Sequence, residues 1–97
     1  MILLMIKREY FDAILNGKQT EEERRDIPFF RNIFSNAEGK KIIFKCGNRK
    51  MTCDIETVRT VPNPYGNQYE FLNTENIIRV KIKNPKLIME QTEMSMF

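Results

Sequence analysis

Positions 2 to 6, ILLMI, are apolar without a break, a run of strand length suited to a strand buried on both faces. The period then changes. Tyr10, Phe11, Ile14 and Leu15 stand at i, i+1, i+4 and i+5, one stripe of a short helix. Gly17 follows where a left-handed C-cap residue would end that helix. Pro28 suits the first turn of a second helix, where its missing N–H costs no intrahelical bond. Phe29, Phe30, Ile33 and Phe34 repeat the spacing of the first helix, and both stripes read as core rather than binding surface.

Beyond Gly39 the alternation is that of strands. KKIIFKC and MTCDIETVRTV flank GNRK, whose Gly-Asn can take positive φ, so a hairpin is expected. Met51, Cys53 and Ile55 alternate with Thr52, Asp54 and Glu56, as for a strand with one wet face. VPNPYGNQYEF, residues 61 to 71, carries two prolines, a Tyr-Gly and two asparagines, and reads as loop. In IIRVKIK, residues 77 to 83, Ile78, Val80 and Ile82 point inward and Arg79, Lys81 and Lys83 outward, with Pro85 predicted to stop the strand. This gives a domain over residues 1–84 and a tail over 85–97. The tail is rich in methionine and lacks a clear period: a loosely docked end, or a dimer or protein contact. Strand, helix, charged segment, helix, hairpin, loop and strand make a small α+β domain, a curled or closed barrel.

The charged segment is NGKQTEEERRD, residues 16 to 26. Glu and Arg are good helix formers, and Glu21 with Arg25 is a favourable i, i+4 pair. Against a helix, Gly17 has just ended one and Pro28 starts another, biasing the residue before it toward extended backbone. Propensity and punctuation leave helix and strand open.

Charge and composition narrow the function. The 97 residues suffice for one domain, and the net charge of +3 is mild. Its distribution is uneven: Lys40, Lys41, Lys45, Arg49 and Lys50 fall between Gly39 and Cys53 with no acid among them. Arg79, Lys81, Lys83 and Lys86 form a second basic block, and such segregation can make a face for phosphates. The absence of histidine removes the Ser-His triad and the commonest metal ligand together. Cys46 and Cys53 are too few for a zinc site without histidine or for a disulfide framework, and read as reduced core thiols. No metal or cofactor is expected. The apolar run at the start is far shorter than the ~20 residues of a membrane span and lacks the flanks of a signal peptide, so a cytoplasmic protein is expected.

The run from Tyr10 to Arg24, YFDAILNGKQTEEER, after an apolar strand and a lysine, resembles the signature of the ASCH domain family: a helix followed by G-x-K-x-x-E-x-R. Gly17, Glu22 and Arg24 match, and Thr20 stands where the family often has threonine. Gln19 departs, occupying the usual lysine position with Lys18 one place early. The resemblance spans roughly residues 3 to 83 and implies a PUA-like β-barrel of about five or six strands with two short helices. It also implies that the segment after Gly17 is extended and lines a cleft.

On such a strand Thr20, Glu22 and Arg24 share one face. Arg24 offers a planar fork for a phosphate or base edge, and Glu22 an acceptor for an exocyclic amine. Gln19 joins them at the cleft, with Tyr65 and Tyr69 as a stacking surface and the five basic residues from Lys40 to Lys50 steering a backbone; alternatively, Glu22 and Arg24 merely pair structurally. The resemblance implies RNA or a modified nucleotide as ligand, bound without catalysis. Some family members hydrolyse the amide of N4-acetylcytidine with a lysine, a threonine and a late glutamate. Here Gln19 has no amine and Glu22 holds the threonine position, which argues against that activity. Lys18, Thr20 and Glu22 are the remaining catalytic candidates, with Glu70 or Glu75 as the late glutamate. A third reading is a protein-interaction module, such as a phage-type inhibitor of a host enzyme. Oligomeric state is not legible.

Overall fold

The computed structural model describes residues 2–90, and its core is one curled sheet closed over by two short helices. In chain order the elements are β1 (Ile2–Met5), α1 (Arg8–Leu15), β2 (Glu21–Arg25), α2 (Pro28–Phe34), β3 (Lys41–Cys46), β4 (Arg49–Pro62), a 3-10 turn (Glu70–Leu72) and β5 (Asn76–Glu90). The strands lie in the order β1-β3-β4-β5-β2. β1 and β3 are parallel and the other pairs antiparallel. The sheet is thus a half-barrel whose two edges are β1 and β2, the strands that flank α1 in sequence.

Its concave face is apolar. Phe11 and Ile14 of α1 and Phe34 of α2 meet Ile42, Phe44, Met51, Cys53, Ile55, Ile78, Val80 and Ile82 in one buried cluster. β3, β4 and β5 each contribute alternate residues to it, as the pleat requires, and β1 adds Leu4. At about 25 cal/mol per Å² of apolar surface, burial of this cluster is the main favourable term in folding. Leu72 and Ile77 are also buried, outside that cluster.

The turn between β3 and β4 has Gly47 at φ 59° and opposes Cys46 to Arg49, a two-residue hairpin with glycine at its first central position. This register sets Cys53 opposite Ile42, so the two thiols do not face each other. Both cysteines are free, and burial pushes the Cys53 thiol up to about 11.

Two expectations are corrected. β1 is not covered on both faces: Leu4 is buried while Leu3 and Met5 are 48% and 69% exposed. As an edge strand it turns only one face to the helices. Pro85 does not stop the last strand either. β5 runs through it to Glu90, paired with β4 on both sides of the proline. The proline is accommodated because the register slips there, Asp54 facing Lys83 but Thr52 facing Lys86. In that bulge Asn84 takes φ 55°, and its amide donates to Asp54 at 2.9 Å. Residues 85–90, expected in the tail, are therefore strand, and 91–97 lie outside the described residues.

Candidate functional site

The segment Glu21–Arg25 is a strand, and its neighbours explain why. α1 ends in a full left-handed cap: Gly17 has φ 80°, its N–H bonds the Ile14 carbonyl at 3.1 Å, and Lys18 N–H bonds that of Ala13 at 2.8 Å. Pro28 occupies the first turn of α2. Between these stops the chain pairs with β5, whose alternating bases complement its acids. Glu23 lies opposite Arg79 and binds it at 2.9 Å, while Glu21 reaches Arg59 at 3.7 Å. Charge pairing across strands thus holds a sequence that local propensity would allow to coil.

The other face of β2 carries the Glu22–Arg24 pair. Arg24 Nε donates to Glu22 Oε1 at 3.1 Å, and its guanidinium lies 5.6 Å from the centre of the Phe30 ring. Glu22 is the one buried charged residue among those described, 8% exposed. Loss of water raises its carboxyl above the ordinary 4.5, and the nearby Arg24 offsets this only in part.

Two hollows share this strand as a wall. The larger, about 590 Å³, is bordered by Lys18, Gln19, Thr20 and Glu21 to Glu23, with Tyr65, Tyr69 and Phe71 across from them and Tyr10 and Arg79 at its sides. The smaller, about 280 Å³, lies between the two sheet edges, with Met5 and Ile6 on one side and Glu22 to Arg25 on the other, and Phe30 and Phe71 beside them. Glu22, Glu23, Tyr10 and Phe71 border both, so the two form one cleft over the open side of the half-barrel.

An aromatic row forms one rim. The Tyr65 and Tyr69 rings are 5.3 Å apart, edge to face, and Tyr69 and Phe71 are 5.5 Å apart. Tyr65 is anchored by donating its hydroxyl to Glu23 at 2.7 Å, a bond that raises the phenol above its ordinary value. Tyr69, Phe71 and Tyr10 stay exposed at 38%, 54% and 39%. Asn63 fixes the loop under this row. Its Nδ2 lies within bonding distance of the Gly66, Leu72 and Thr74 carbonyls, and its Oδ1 accepts from Tyr65 N–H at 2.8 Å.

The structure gathers Gln19, Thr20, Glu22, Tyr65 and Tyr69 around the larger hollow, with Arg24 in the smaller one. Gln19 donates its amide to the Glu21 carbonyl at 2.8 Å. Lys18 borders the larger hollow from an exposed position, and neither Glu70 nor Glu75 borders either hollow. The five basic residues are not gathered. Lys41 pairs with Asp54 at 2.6 Å, and Lys40 borders a separate hollow beside Ile2 and Ile33. Arg49 turns to α1, bound to Asp12 at 2.8 Å and 4.4 Å from the centre of the Phe11 ring. Lys45 and Lys50 face each other across β3 and β4, each next to a buried core residue and so turned to the convex side.

Tyr10, Phe71, Glu23, Arg79 and Asn63 were not legible as site residues. Tyr10 sits in a stripe that otherwise reads as core, and its polar tip was the available signal. The others are brought to the cleft by strand pairing and by the folded loop. Among the described residues no group of acids and cysteines could hold a metal ion, and no helix is long and apolar enough to cross a membrane.

In fold, this curled sheet with its two helices is similar to a solved ASCH structure. The chain superposes on the crystal structure of a mutant of ZmASCH from Zymomonas mobilis with a TM-score of 0.66, covering 89% of this chain and 69% of that one at 18% identity. No family model matches the sequence, and no curated protein does.

Proposed function

We propose that this ASCH-type domain binds a nucleotide of single-stranded RNA in its cleft, without catalysis. The observation that carries the reading is the pair of buried Glu22 and half-buried Arg24, in a cleft that exposed aromatic rings also border. A flat base can lie against Tyr69, Phe71 or Tyr10, where stacking contributes about 1–3 kcal/mol per base. Glu22 keeps a second carboxylate oxygen beyond the one bonded to Arg24, an acceptor for an exocyclic or ring N–H. The Arg24 fork keeps its terminal N–H groups for a phosphate or base oxygen. Burial makes each of these bonds stronger than in water, because the cleft wall excludes competing solvent.

Titration with nucleoside monophosphates tests this. Arg24→Ala is expected to weaken binding about tenfold or more, the worth of one charge-assisted hydrogen bond. Lys86→Ala, on the exposed part of β5, is expected to leave it within about twofold. Equal losses for both variants, or no saturable binding by the unaltered protein, would reject the cleft as the site.

A further inference from the structure

One feature of the convex face is unexplained by the fold. Lys45 and Lys50 stand directly opposite each other on β3 and β4, a like-charge cross-strand pair that disfavours the sheet. Among the described residues neither has an acid within ion-pairing distance, unlike Lys41, Arg59, Arg79, Lys81 and Lys83, each of which meets a carboxylate. Such a pair is favourable when an anion lies across it. The pairing register places Met5 of β1 beside Lys45, so Met5, Lys45 and Lys50 form one row across three strands. Met5 is 69% exposed and also borders the smaller hollow, between the sheet edges. The row therefore begins at the lip of the cleft and runs about 10 Å, two strand spacings, onto the outer sheet face.

We infer that this row is a phosphate track. A single-stranded RNA that places one base in the cleft continues over Met5 and lays successive phosphates on Lys45 and Lys50. The site then selects an oligonucleotide over a mononucleotide. No aromatic residue stands in this row, so it reads the backbone and not the bases, and its contribution falls with salt. Lys40, Lys41 and Arg49 have no part in it, being placed elsewhere or committed to acids.

This rests on the cleft reading above, and the experiment separates the two. Binding of a nucleoside monophosphate and of an eight-nucleotide single-stranded RNA is measured over a range of salt for the unaltered chain, for Arg24→Ala and for the double variant Lys45→Ala with Lys50→Ala. The expected result is that the RNA binds the unaltered chain more tightly than the monophosphate. The double variant should lose about tenfold in RNA affinity at low salt and about 1.4 from the salt slope, roughly 0.7 for each phosphate released, with monophosphate affinity unchanged. RNA affinity and slope unmoved by the double variant overturn the track and leave the cleft standing. RNA bound no more tightly than the monophosphate does the same. Loss of RNA binding in the double variant but not in Arg24→Ala keeps the two lysines as phosphate contacts but overturns both the cleft and a track that leads out of it. Both lysines are at the surface side of the sheet, and an unchanged thermal midpoint for the double variant shows that it folds.

Discussion

Glu22 is where two demands on one side chain conflict. Burial opposes its charge, and Arg24 at 3.1 Å favours it; the carboxyl ends above its ordinary value because desolvation is the larger effect. The sign for stability follows. Between the unfolded value near 4.5 and the higher folded value, the folded chain binds the extra proton, so this residue's contribution to stability falls as pH rises through that window and its cost vanishes below it. Glu22→Gln removes the titration. The difference in thermal midpoint between variant and unaltered chain is therefore expected to move in the variant's favour as pH is raised from about 4 to 7. A flat difference would show that Arg24 cancels burial, and one that moves the other way that Arg24 outweighs it.

Among the elements, the loop between β4 and β5 matters most to the cleft, since it carries Tyr65, Tyr69 and Phe71 with no regular structure beyond the short 3-10 turn at Glu70–Leu72. Asn63 braces that chain, with four backbone groups of residues 65 to 74 within hydrogen-bond reach of its amide. Asn63→Ala leaves part-buried carbonyls of Leu72 and Thr74 without this donor and is expected to cost about 1–3 kcal/mol by denaturant unfolding. It should also weaken nucleotide binding, although Asn63 borders neither hollow. Stability lost with affinity kept would mean the loop's rings are not used. β2 teaches the complementary lesson. Five charged residues in a row form a strand because caps stop the helices on either side and β5 offers Arg79 opposite Glu23. The stops at Gly17 and Pro28 were legible locally. The matching charges were legible only once β5 was known to be the neighbour.

At the level of the molecule, the half-barrel leaves β1 and β2 as facing edges, and the cleft is what lies over that gap. An enzyme built on it would need a nucleophile or base within the hollow. The chain has no histidine, and Gln19 holds its amide against the Glu21 carbonyl instead of offering an amine. Incubation with N4-acetylcytidine is accordingly expected to release no cytidine above the rate without protein. Release that disappears in Lys18→Ala would restore the hydrolase reading, since Lys18 does border the larger hollow.

Hydrophobic period, helix stops and strand alternation are local properties of the chain, and they determined by themselves the two helices, the hairpin, the inward set of Ile78, Val80 and Ile82, and the extended run at Glu22 and Arg24 once the family resemblance was added. Strand order and register are long-range. They alone decided that β1 is an edge with Leu3 and Met5 exposed, that β5 passes through Pro85, that Arg49 turns inward while Lys45 and Lys50 face each other, and that Tyr10 leaves the core for the cleft. The physical reason is that a side chain's direction follows from its own backbone, whereas its company depends on which distant strand hydrogen-bonds beside it.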